Sequence, residues 1–229
     1  MKTALVTGAS SGIGKAIANA LLNEGMTVIG LCRSVDQLPD GVKPLACDLR
    51  DESAIRSAFE TLERLDILVN SAGLAYLSRI CDGNPSDWEE MWRVNVHALG
   101  ICSQLSLAHF PESGGHILNL SSMSGHRVPP TGGFYASTKF AVRAVSEALR
   151  AELKNSGKKT RISCLSPGFV DTPLLDKYFA GREEQLAETR ANIDMLTPEA
   201  IADAALHILT SPASVEINDV LLRSADQAI

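Results

Sequence analysis

The chain has 229 residues, 45% of them hydrophobic and 21% charged, with 21 Lys and Arg against 27 Asp and Glu for a net charge of -6. That length suits one globular domain with a full core, and an acidic balance without a basic stripe excludes ordinary nucleic-acid recognition. No run of 18 apolar residues is present to span a membrane. Met1-Lys2-Thr3-Ala4-Leu5-Val6 enters a strand-like run at once, which fits no secretory leader, so a cytoplasmic protein is expected.

Strand-like apolar runs are predicted at Thr3–Thr7, Thr27–Cys32, Lys43–Ala46, Ile67–Asn70, His116–Leu120 and Arg161–Leu165, with a last one near Asp219–Arg223. Helix-patterned stretches lie between them, at Ile13–Asn23, Glu52–Glu63, Trp88–His109, Ser137–Asn155 and Glu199–Leu209. Such alternation indicates βαβ units and a parallel sheet, with ligands collected outside the carboxyl ends of the strands. The polar stretch from Pro173 to Met195 follows a strand and reads as a helical lid over a site (residues 173–195), within one domain spanning 1–229. Cys32, Cys47, Cys81, Cys102 and Cys164 are scattered, with no Cys-x-x-Cys and no His/Cys cluster. They read as small buried hydrophobes, with neither a disulfide framework nor a metal site.

The first strand runs into Thr7-Gly8-Ala9-Ser10-Ser11-Gly12-Ile13-Gly14, which opens a helix. Glycines there allow a tight turn and bring backbone N–H groups close to a pyrophosphate at the helix N-terminus. A P-loop is excluded, because Ala16 follows Lys15 where Ser or Thr would ligate magnesium and Ala9 replaces its first glycine. The spacing also differs from the common G-x-G-x-x-G.

The pattern T-G-x-x-x-G-x-G resembles the short-chain dehydrogenase/reductase family, and further stations downstream carry the resemblance. Asp48-Leu49 resembles its adenine-contacting pair, and Asn70-Ser71-Ala72-Gly73 its N-N-A-G, with Ser71 the one departure. Asn95, Ser122, Tyr135 and Lys139 fall at its catalytic positions, and Pro167-Gly168-Phe169-Val170-Asp171-Thr172 at its P-G-x-V-x-T segment. The fold implied is α/β, a single-domain doubly wound parallel sheet of Rossmann type with helices on both faces. The resemblance implies a dinucleotide held by Gly8, Ser10, Ser11, Gly12, Ile13 and Gly14, by Asp48 and Leu49, and by Asn70, Ala72 and Gly73. Tyr135 and Lys139 join Pro167, Gly168, Val170 and Thr172 on the nicotinamide side, Val170 and Thr172 orienting the carboxamide.

After the second strand the chain reads Leu31-Cys32-Arg33-Ser34. A site preferring NAD(H) usually places an acid where Cys32 stands, to accept from the ribose hydroxyls. Arg33 can form paired charge-assisted bonds to a 2′-phosphate, and Ser34 adds a hydroxyl. NADP(H) is the preferred expectation. Asp36, near the expected distance, keeps NAD(H) open.

Tyr135 and Lys139 are four apart and share one helical face. A free phenol titrates near ~10, and bringing it to ~7 takes ~4 kcal/mol; an ammonium ~4 Å away at an effective dielectric of ~20 supplies ~4 kcal/mol. The expected reaction is hydride transfer between the nicotinamide and a carbonyl or secondary alcohol of a small molecule. Tyr135 acts as general acid/base, Lys139 lowers its pKa and bonds the ribose, Ser122 holds the substrate oxygen, and Asn95 holds a relay water. The spacing to tyrosine selects Ser122 over Ser121.

An epimerase is disfavoured by glycine spacing and length, and an enoyl reductase by its wider tyrosine–lysine spacing. A nucleotide-sensing protein without turnover remains the alternative from another class. The family implies a homodimer or homotetramer through the two long helices, with Trp88 and Trp92 as packing or interface anchors. The segment Val215–Ser224 departs from the family's usual V-D-G-G ending, which puts the tail's part in pocket closure in doubt and hints at a small substrate. Lys177, Arg182 and Arg190 in the lid are candidates for a substrate carboxylate or ordinary solvated charges.

Overall fold

The computed structural model describes residues 1–129 and 132–227. The strands are β1 (Thr3–Thr7), β2 (Thr27–Cys32), β3 (Lys43–Ala46), β4 (Ile67–Asn70), β5 (His116–Leu120), β6 (Arg161–Pro167) and β7 (Asp219–Leu222). They form one sheet in the order β3-β2-β1-β4-β5-β6-β7, and every pair is parallel. The helices are α1 (Gly12–Asn23), α2 (Glu52–Glu60), α3 (Pro85–Trp92), α4 (Leu99–Ser106), α5 (Gly133–Asn155), α6 (Pro173–Tyr178), α7 (Glu183–Asn192) and α8 (Pro198–Thr210). A π-helical turn over Arg93–Ala98 joins α3 to α4. This is the single-domain Rossmann-type sheet expected from the alternation.

The strands are apolar on both faces because both faces are covered. Leu5, Leu68, Ile117 and Ile162 stand in register across β1, β4, β5 and β6. They pack with Phe59 of α2, Ile101 of α4 and Leu153 of α5. Alternate residues such as Ala4, Val6, Val28 and Val69 face the other way, onto Ile17 and Leu21 of α1 and Ile201 and Leu209 of α8. Each fully buried leucine or isoleucine contributes ~1.5–3 kcal/mol.

The strand expectations hold closely, with β6 running on to Pro167. Helix ends differ for local reasons. Asn84 accepts from Ser86 N at 3.1 Å and Pro85 follows, so α3 starts ahead of Trp88. Thr61 donates its hydroxyl to Ala58 O at 2.7 Å where α2 ends, short of Glu63. The helix expected from Ser137 starts at Gly133, a glycine-led turn of poor propensity that packing overrides: Phe134 stacks on Trp88 with ring centroids 5.2 Å apart. The lid stretch is helical, as α6 and α7.

The cysteine expectation needs one correction. Cys32, Cys47, Cys102 and Cys164 are buried, but Cys81 is exposed, with Arg79 Nη2 3.0 Å from its sulfur. It sits in the polar loop before α3, where no core residue is called for.

Candidate active site

The sheet order reverses at β1, which has β2 on one side and β4 on the other, and a cleft opens over the carboxyl ends of these strands. The floor is backbone. Gly8 has φ +70, and a Cβ on it would lie 2.9 Å from Ala72 Cα. A Cβ on Gly14 would lie 2.4 Å from Gly8 O. These glycines let the β1–α1 turn fold flat against the β4 loop, leaving a cradle that side chains would fill. Ser11 precedes the first turn of α1 without capping it through its side chain, so the helix N-terminus faces the cleft.

Of the residues expected at the cofactor, Gly8, Ser10, Ser11, Gly12, Ile13, Gly14, Arg33, Ser34, Asp48, Leu49, Ala72, Gly73 and Thr172 line this cleft. Arg33 is exposed at its rim and makes no hydrogen bond among the described residues. Asp36 is exposed in the 3-10 turn Val35–Gln37 and does not line the cleft. Asp48 is held well below the usual carboxylate range, at about 2, chiefly by its hydrogen bonds from Arg50. Arg50 also bonds Glu90 on α3, which accepts from the Tyr76 hydroxyl at 2.8 Å.

A second, largely apolar cavity opens beside the cleft and shares Ile13, Ser71, Gly73, Thr172 and Leu174 with it. Ser122, Tyr135 and Lys139 line it together with Pro167, Gly168 and Val170. Tyr135 lies in the first turn of α5 and Lys139 one turn later, the common face their spacing predicts. Lys139 Nζ lies 5.8 Å from the centroid of the Tyr135 ring and donates to Leu120 O at 2.9 Å. Burial lowers the Lys139 ammonium to about 8. Ser122 Oγ accepts from Ser124 N at 3.1 Å and donates to Pro167 O at 3.5 Å, and it lies near enough to the Tyr135 phenol to favour its ionised form. Ser121 lines the same cavity but spends its hydroxyl proton on Lys139 O at 2.9 Å.

The tyrosine does not behave as expected in the protein alone. Burial pushes the Tyr135 phenol above its ordinary value, outweighing the hydrogen bond with Ser122. The ammonium is turned toward a backbone carbonyl rather than held against the phenol oxygen. The protein's own groups keep Tyr135 protonated, the form a general acid requires.

Two expected site residues turn their side chains elsewhere. Asn70 Nδ2 donates to Ser103 Oγ at 3.0 Å and Asn119 Oδ1 at 2.8 Å, inside the fold. Asn95 lies in the π turn, where its side chain accepts from Leu74 N at 2.7 Å and donates to Leu74 O at 2.8 Å and Thr138 Oγ1 at 3.0 Å. It fixes the β4–α3 loop from the π turn, a feature frequent at functional sites, and its Oδ1 stays beside Gly73, where a Cβ would lie 3.5 Å from it and 3.7 Å from Lys139 Nζ. Of the two readings open for the lid cations, the structure favours ordinary charges over a substrate carboxylate site. Lys177 lines the nucleotide cleft, Arg190 pairs with Asp171 and Asp176, and none of Lys177, Arg182 and Arg190 lines the second cavity.

The profile of the short chain dehydrogenase family matches residues 2–183. The chain belongs to the short-chain dehydrogenase family. It is 38% identical over 247 residues to the human Dehydrogenase/reductase SDR family member 11, covering 99% of this chain and 95% of that one. Among solved structures it superposes on the closed form of serine dehydrogenase complexed with NADP+, with TM-score 0.92 and 30% identity over 99% and 96% of the two chains. It also superposes on the 3-ketoacyl-(acyl-carrier-protein) reductase of Brucella melitensis complexed with NADH, with TM-score 0.83 and 26% identity over 96% of each chain. Membership makes the chain an oxidoreductase. No described helix is long and apolar enough to cross a membrane.

Three residues of the site carry no role in the sequence reading. The Thr7 hydroxyl accepts from Ser71 N and Ala72 N, a bond pair hidden inside the T-G motif. Arg50 bonds Asp48, and the two-residue spacing is the only sign of it. Gln227 lines the second cavity from the end of the chain, and no pattern in the sequence marks it.

Proposed function

We propose that this short-chain dehydrogenase is an NADP(H)-dependent alcohol dehydrogenase or carbonyl reductase acting on a small molecule, with Tyr135 as general acid/base. The observation that carries the reading is the convergence of Ser122, Tyr135 and Lys139 on one cavity that opens into the nucleotide cleft. The glycine cradle and the uncapped N-terminus of α1 fit a pyrophosphate there, and Asp48 and Leu49 flank the adenine end. A nicotinamide cofactor held by the Gly8–Gly14 turn, Ala72, Gly73 and Thr172 would supply the hydride for the carbonyl carbon when bound. Ser122 holds the carbonyl oxygen, and Tyr135 donates its proton to that oxygen as the C–O double bond becomes single. Lys139 then stabilises the tyrosinate by charge, and solvent returns the proton. In the oxidative direction Tyr135 must first lose its proton to solvent, and the tyrosinate then takes the alcohol proton; a positive charge nearby would have to offset burial for that form to exist.

The preference for NADP(H) rests on Arg33, an exposed guanidinium at the adenosine rim, and on Cys32 standing where an acid would repel phosphate. The helices α6 and α7 act as a lid, since Leu174, Leu175, Tyr178, Gln185 and Thr189 wall the second cavity. A homodimer or homotetramer through α3–α4 and α5 is supported by Trp92 and Phe140, 45% and 40% exposed on those helices. The test is oxidation of NADPH, followed by loss of reduced-nicotinamide absorbance, with a panel of aldehydes and ketones. Tyr135→Phe should abolish turnover while cofactor binding persists; turnover retained in that variant overturns the assignment.

A further inference from the structure

After β7 the chain turns back across the end of β6, where Gly168 N donates to Leu222 O at 2.7 Å. A turn closed by Gln227 N on Ser224 O at 3.2 Å carries Gln227 into the wall of the second cavity, where it is buried. Its carboxamide is oriented by the backbone. Gln227 Oε1 accepts from Phe169 N at 2.9 Å, and Arg223 donates to the Gln227 carbonyl. Gly168 leaves room for this, since a Cβ there would lie 2.2 Å from Gln227 Oε1. With the oxygen committed, the amide nitrogen is the end left for the cavity, and it has no hydrogen-bond partner among the described residues.

We propose that Gln227 is a specificity-determining residue whose Nε2–H donates to a second oxygen of the substrate, beyond the carbonyl that is reduced. This rests on the reading of Tyr135 as the acid at that cavity. An amide nitrogen donates and does not accept, so the group it reads is an acceptor: the carbonyl oxygen of an ester, amide or second ketone. Ala75, Leu77, Val128, Phe169 and Phe179 make much of the remaining wall apolar, with Ser124, Arg127, Gln185 and Thr189 at its polar positions, so the body between the two oxygens is mostly hydrocarbon. The substrate class is a ketone or aldehyde carrying a second carbonyl oxygen on an apolar frame. A donor left unpaired in such a wall also discriminates against the analogue that lacks the acceptor.

The test compares an aliphatic β-keto ester with the simple ketone of equal chain length, both reduced by NADPH, in the full-length protein. The native protein should favour the keto ester in kcat/KM by about tenfold or more. Gln227→Glu keeps an oxygen for Phe169 N and removes the donor, so the ratio of the two kcat/KM values should fall about tenfold, through KM for the keto ester. Gln227→Met removes both groups and should give the same loss of preference if Gln227→Glu misfolds; NADPH binding and thermal melting report the fold of each. An unchanged ratio in both folded variants, or no preference in the native protein, overturns the proposal and leaves Gln227 as a latch for the tail. If neither carbonyl is reduced by the native protein while NADPH binds, the acid role of Tyr135 fails and this proposal falls with it.

Discussion

The hydroxyl of Thr7 accepts the backbone N–H of Ala72 at 3.0 Å and that of its neighbour Ser71 at 3.1 Å. These bonds tie the end of β1 to the loop after β4, at the point where the sheet order reverses, and they set the distance at which Gly8 meets Ala72. The cleft floor therefore depends on one buried hydroxyl more than on the glycines that advertise it. Thr7→Val keeps shape and removes the acceptor, leaving two N–H groups without it. A loss of about 1–3 kcal/mol in unfolding free energy is expected, measured by denaturant titration, together with weaker NADPH binding. Thr7→Ser should recover most of both. If Thr7→Val binds NADPH and unfolds like the native protein, the tie is not what positions the floor.

On the proposed reading, cofactor choice should turn on Arg33. Its guanidinium lies at the rim of the cleft, beside Ser34, with no hydrogen bond among the described residues. Paired charge-assisted bonds to a phosphate contribute roughly 1.5–3 kcal/mol. Arg33→Ala should raise the dissociation constant for NADPH by about 10- to 100-fold and change that for NADH little. Calorimetric titration of both nucleotides checks this. Equal losses for the two would mean that Arg33 does not read the 2′-phosphate.

How much of this was legible depended on how local the cause was. Tyr135 and Lys139 are separated by one helical turn, so their common face follows from the sequence alone. The glycine turn and the strands carry their own signals in the same way. The protein partners of Asn95 and Asn70 are not legible in the same way, because a π turn and cross-strand pairing decide where those amides point. Gln227 meets Phe169 across 58 residues of chain, and no periodicity encodes such a meeting. The lid cations, open in sequence between a carboxylate site and ordinary solvated charges, depend likewise on how α6 and α7 settle on the cavity, and the pairing of Arg190 with Asp171 and Asp176 agrees with the second.

The pH profile should report the lysine rather than the tyrosine. Burial holds the phenol above its ordinary value, so Tyr135 stays protonated across the neutral range, whereas the Lys139 ammonium titrates at about 8. As pH rises through that value the charge that supports the departing proton is lost. Carbonyl reduction, measured as kcat/KM, should therefore fall above pH 8 by up to tenfold for each pH unit. Lys139→Arg keeps its charge at every accessible pH; at a lower absolute rate, its profile should stay level through pH 8. A native profile level to pH 10 would remove Lys139 from the step.

Acid stability should depend on His116, at the amino end of β5. The ring is buried, with Nε2 2.8 Å from Ser163 Oγ and Nδ1 without a partner. Burial, with Arg161 and Lys2 nearby, pushes its pKa down to about 3, against ~6.5 for an unfolded histidine. Between those values the unfolded chain binds the proton and the folded one does not. The contribution is therefore complete above pH 6.5 and lost as pH falls toward 3, at about 1.4 kcal/mol for each pH unit well inside the window. Denaturant titrations from pH 7 to pH 4 measure the slope. His116→Gln, which does not titrate, should be less stable at pH 7 but lose stability less steeply; parallel slopes for the two proteins would show that acid unfolding is driven by other groups.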